Sequence, residues 1–211
     1  MKLEGLSGFF LFVKSRDYRI LVFVFLVPLL LVLFSPALLT EIPLRQGVSL
    51  FLLPITAASG ALFMPLLYTI PGNIEQTHNR RLQRSRLVLL IAAFLFCAVV
   101  TILVLYIPAL FSPGSDVLYL LPVAFTAIRN DLLFLALGVL VGCALGASYA
   151  TIPGIIYLGA VLIFGTTDTQ STPVFWNLLL QPVGNAPTWM IALVLAILAV
   201  YAYTRFDYKN A

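Results

Sequence analysis

The sequence predicts an all-α integral membrane protein. The expected layout has six transmembrane helices, an interfacial helix at the N-terminus, a re-entrant segment before the last span, and both termini in the cytoplasm. Apolar residues make up 62% of the 211 residues and charged residues only 9%, with a mean hydropathy of +1.07. A soluble domain carries roughly 25% charged residues. Uncharged apolar runs of spanning length recur along the chain, which requires helices rather than a barrel. The basic residues also fall mostly on one side of the resulting topology.

Residues 1–19 place Leu3, Leu6, Phe9, Phe10 and Val13 among Lys2, Glu4, Lys14, Arg16 and Asp17. The spacing predicts an amphipathic helix lying in the interface, with a basic topogenic leader as the plainer alternative. Span one is 20–39; at 20 uncharged residues it exceeds a typical signal-peptide core. Span two, about 46–70, carries Pro54 and Pro65, where kinks are expected. Span three is about 87–111.

The stretch 117–128 is an apolar run of only 12 residues, too short to cross where about 20 are needed. Arg129, Asn130 and Asp131 follow, with Asn130 or Asp131 suited to the N-cap of the next helix. The 36 uncharged residues 132–167 predict a tight hairpin around Pro153-Gly154. Its arms are span four, 132–150, and a short span five, 152–167. The apolar piece 174–180 predicts a re-entrant half-helix, and span six is about 188–204. With the N-terminus inside, ten of the 12 Lys and Arg residues face the cytoplasm and only Arg45 and Arg129 do not. That is a strong positive-inside bias, and a chain crossing only once over 132–167 would lose it.

The chemistry points away from an enzyme. On these boundaries no ionisable residue lies well inside a span, which disfavours ion- and proton-coupled carriers. Gly146-Ala147-Ser148 has the shape of an intramembrane serine-protease motif, but the only histidine, His78, lies in a loop, so Ser148 has no base to activate it. Metal-ligand spacing is absent, as is a phosphate-loop motif. Cys97 and Cys143 lie in apolar runs and read as small buried hydrophobes. No cofactor is expected on this chain, and its net charge of +4 comes from loops beside spans rather than from a nucleic-acid surface.

Two features remain. Gly138, Gly142 and Gly146 recur every fourth residue, the spacing of a helix-packing seam, although spanning helices are rich in glycine generally. The long polar interval PGNIEQTHNRRLQRSR, 71–86, carries Glu75, His78, Arg80, Arg81, Arg84 and Arg86. A basic segment between two spans anchors lipid headgroups or docks a soluble partner.

The arrangement resembles the permease subunits of type-2 ABC exporters. The resemblance rests on the amphipathic N-terminus, the charged loop after span two, the glycine-rich LGVLVGCALGASYATIPG, and STPVFWNLLLQPVGNAP before the last span. The stretch 117–128 has no counterpart in it. The resemblance implies a dimer in the cell membrane, of this chain with itself or with a related permease, and no catalysis by this chain. An ATP-binding cassette subunit holding ATP and Mg would dock on the loop 73–86, with Glu75, His78, Arg80, Arg81 and Arg84 at the contact. An exported amphipathic or hydrophobic substrate is expected. The alternatives are a non-enzymatic membrane scaffold or assembly factor and an ATP-independent carrier.

Overall fold

The computed structural model describes residues 80–111, 120–164 and 177–205, together with Thr56, Met64 and Leu67. The expected interfacial helix, span one, most of span two and loop positions 73–79 lie outside the described residues. The described chain is helical throughout apart from turns: α1 (Arg80–Phe111), α2 (Leu120–Leu145), a short 3-10 turn (Ala147–Tyr149), α3 (Ile152–Phe164) and α4 (Ala186–Arg205). Three stretches, Arg86–Ile107, Leu120–Leu145 and Ala186–Arg205, are long and apolar enough to cross a membrane.

The buried stripe of α1 runs through Arg86, Leu90, Ala93, Cys97, Val100 and Val104, alternating steps of four and three residues as one helix face requires. The opposite face exposes Val88, Ile91, Leu95 and Val99. The inward face is thus the smaller and more polar one. α4 repeats this, burying Thr188, Ala192, Ala199 and Tyr203 while exposing Ile197 at 67%. Water would penalise such surfaces, whereas lipid rewards large aliphatics outside and small or polar residues at helix contacts.

α2 is the central helix, with 56% of its span buried against 39% for α1 and 22% for α4. Val123, Ala124 and Ala127 pack on Val100, Val104 and Leu105 of α1. Toward the other end, Leu135, Ala136 and Val139 join Leu89, Leu90 and Ala93, so α1 and α2 are antiparallel. α4 runs alongside α2 in the same direction, Ala192 packing with Leu133 and Ala199 and Tyr203 with the end that carries Leu135 and Val139. The last turn of α4 therefore lies beside the first turns of α1, where Arg86 sits 6.0 Å from the Tyr203 ring centroid.

The structure corrects the boundary expected at 129–131. α2 is one helix of 26 residues, so span four does not begin at Leu132 and neither Asn130 nor Asp131 is an N-cap. The part of 117–128 from Leu120 onward is simply its first turns. The physical reason lies in the stop signals. Pro122 falls in the first turn, where a missing N–H costs little, and the first strong stop is Gly146, at φ 104°. Gly146 N–H donates to Gly142 O at 3.1 Å, which ends the helix. Pro153 and Gly154 lie in the opening turn of α3, and a Cβ at Gly154 would meet Phe134 at 3.3 Å. α3 has 13 residues, about 20 Å of helix, shorter than the ~30 Å apolar thickness; positions 165–167 of the expected span five lie outside the described residues.

Candidate functional site

The continuity of α2 moves three polar side chains from a loop into the bundle. Arg129, Asn130 and Asp131 are consecutive, so helical rotation aims them at different neighbours, and none is more than 2% exposed. Asp131 turns to α1, where Thr101 Oγ1 donates to Asp131 Oδ2 at 2.7 Å. Thr101 lies ~9 Å along the helix from the Ile107 end of the α1 span and ~22 Å from the end bearing Arg86. The cluster is therefore inside the span.

Arg129 turns the other way, toward the non-helical segment 177–185 and the start of α4. Its Nη2 donates to Leu178 O at 2.8 Å, Leu179 O at 3.2 Å and Asn130 Oδ1 at 3.2 Å. Its Nη1 donates to Thr188 Oγ1 at 3.0 Å and makes a long contact of 3.5 Å to Pro182 O. Each acceptor is a neutral oxygen. Nε is buried without a hydrogen-bond partner among the described residues.

Irregular backbone is tolerated at membrane depth only where protein or water satisfies its polar groups. Segment 177–185 meets that demand with side chains from three helices and its own turns. Leu178 N–H donates to Tyr157 Oη at 3.1 Å, and Asn130 Nδ2 joins Arg129 on Leu179 O at 3.1 Å. Leu180 N–H donates to Asn177 Oδ1 at 3.2 Å, and Trp189 Nε1 donates to Val183 O at 2.9 Å. The turn closes onto α4 through Asn185, whose Oδ1 accepts from Thr188 N–H at 3.4 Å as an N-cap. Of the re-entrant half-helix expected over 174–180, positions 174–176 lie outside the described residues, and 177–180 are non-helical with Leu179 completely buried.

The expectation that no ionisable residue lies inside a span is therefore overturned by Arg129 and Asp131. Arg129 also leaves the positive-inside count, because it belongs to no loop. Sequence patterning hides the pair, because a polar triplet between apolar runs resembles a loop. The signal against that is the lack of Gly or Pro between Pro122 and Gly138.

The basic segment is described from Arg80 onward. Glu75 and His78 lie outside the described residues. Arg80 and Arg81 open α1, Arg84 is exposed, and Arg86 is buried at 3% beside Tyr203. The Tyr203 hydroxyl donates to Leu67 O at 2.6 Å, tying α4 to the described part of span two. Arg80 and Arg84 are four residues apart, on one face of α1.

The three glycines separate. A Cβ at Gly138 would lie 2.7 Å from Met64 Sδ and 2.9 Å from Ala150 O, so this glycine permits a close approach within the chain. Gly142 is buried and supplies the carbonyl that Gly146 caps. A Cβ at Gly146 would meet nothing within 4 Å among the described residues, and its positive φ is what calls for glycine. Ser148 is exposed in the 3-10 turn. Comparison with family models, curated proteins and solved structures finds no match.

Proposed function

We propose that this protein is the membrane-spanning permease subunit of an ATP-driven ABC-type exporter in the cell membrane, taking an amphipathic or hydrophobic substrate. The ATPase partner docks at the segment 73–86. The observation that carries the reading is the start of α1. Arg80, Arg81 and Arg84 lie within the first five residues described for α1, and Arg84 is exposed. Like charges at positions 80 and 84 of a helix weaken it slightly, a cost that an acidic partner surface would offset. Arg80 and Arg84 share a helix face suited to an acidic protein surface. The resemblance in layout supports the same reading. Purification in mild detergent tests it: an ATPase subunit should co-purify, and Arg80→Glu with Arg84→Glu should remove it while the chain stays folded. Retention of the ATPase by the double variant would refute the docking role.

A second reading, an ATP-independent carrier, is favoured by Arg129 and Asp131, since ionisable groups at membrane depth are a feature of ion-coupled transport. The chain reconstituted alone in liposomes separates the two. Transport driven by an ion gradient without ATP, and lost in Asp131→Asn, selects the carrier.

A further inference from the structure

We propose that the oxygen atoms around Arg129 form a cation-binding site, which this chain fills with its own guanidinium. Five oxygens converge on the two terminal nitrogens: Leu178 O, Leu179 O, Pro182 O, Asn130 Oδ1 and Thr188 Oγ1. None belongs to a carboxylate, so among the described residues the cation is held by backbone and neutral side-chain dipoles rather than by an ion pair. The 2.8–3.5 Å distances suit N–H donors, whereas small divalent metal ions need oxygens at ~2.0–2.6 Å. The ligand class is therefore a planar monovalent cation of guanidinium type.

The carbonyls of Leu178 and Leu179 belong to non-helical backbone, which at this depth has no helical partner to accept from. A positive charge among them supplies donors and offsets converging carbonyl dipoles at once. Charge as well as hydrogen bonding thus keeps segment 177–185 closed on α2. This site is independent of the energy source, so it stands or falls separately from ATPase docking.

The test uses the full chain in detergent with Cys97 and Cys143 replaced by alanine and Leu179→Cys as a buried probe for a maleimide. Adding Arg129→Ala should raise the labelling rate about tenfold or more, because local opening is no longer opposed. Guanidinium chloride at about 10 mM, far below denaturing concentrations, should restore most of the protection. Equal concentrations of urea, a neutral planar analogue, and of sodium chloride should not. Restoration by urea as complete as by guanidinium, or by neither, overturns the proposal. Where Arg129→Ala fails to accumulate as folded protein, Arg129→Lys and Arg129→Met decide. Lysine, which keeps the charge but not the planar fork, should protect the probe in part and methionine should expose it; equal labelling of the two overturns the charge requirement.

Discussion

Arg84 and Arg129 are the same residue type on adjacent, antiparallel helices, yet the bundle treats them in opposite ways. Arg84 stands exposed on the first turns of α1. Arg129 is 0% exposed and bound to neutral oxygens of a segment ~50 residues away in sequence. The contrast separates two meanings of charge in a membrane protein. At a helix end an arginine orients the chain and presents a surface; inside the bundle it must be solvated by the protein, since removal from water costs several kcal/mol. Segment 177–185 supplies that solvation, and in return its carbonyls acquire donors.

The largest expected effect breaks the buried side of this comparison. Arg129→Ala removes the guanidinium donors to Leu178 O, Leu179 O and Thr188 Oγ1 together, leaving Asn130 Nδ2 on Leu179 O. We expect a loss of about 2–4 kcal/mol: each buried acceptor left without a donor costs about 1–3 kcal/mol, offset in part because the desolvation of the guanidinium is removed with it. Reversible unfolding in mixed detergent and dodecyl sulfate micelles measures it. A loss below ~1 kcal/mol would mean that water or lipid headgroups take over the carbonyls, and that the cluster is shallower than its register on α1 indicates.

The glycines of α2 and its cap come next and sharpen the same division between packing and conformation. Gly138→Ala drives a Cβ against Met64 Sδ at 2.7 Å and Ala150 O at 2.9 Å. The methionine tip can move but the backbone carbonyl cannot, and overpacking of this kind costs about 1–3 kcal/mol. Met64→Ala in the same chain should recover only part of it. Gly146→Ala meets no neighbour among the described residues but forces a side chain to φ 104°, costing about 1–2 kcal/mol. Gly146→Asn should cost less, and no second-site change in packing should rescue either variant.

The legible part of this fold was what composition and run length determine: helical class, helices long and apolar enough to cross a membrane, of which the described residues show three, the α1 and α4 positions, and the turn near 150. The boundary within α2 was not legible by polarity. In water, Arg129-Asn130-Asp131 between apolar runs would mark a loop because nothing inside a core could receive three polar side chains. Here partners arrive from residues 177–188 and from Thr101, contacts of long sequence separation that no local pattern announces. Helix-stop chemistry was the better guide, because backbone breaks depend on Gly and Pro locally. The closeness of Gly138 to Met64 also joins residues far apart in sequence, which no local pattern announces.

The smallest expected effect on stability tests the exposed side. Arg84 is exposed, and replacing it with glutamate turns a like-charge pair with Arg80 at i,i+4 into an opposite-charge one. Arg84→Glu should therefore leave unfolding within about 0.5 kcal/mol of the parent, or stabilise it slightly. If the segment serves a partner, association with the ATPase should still weaken, and weaken more in the double variant with Arg80→Glu. A large loss of stability from Arg84→Glu would place this arginine among the structural ones with Arg129. The division between a solvated interior charge and a presented surface charge would then fail.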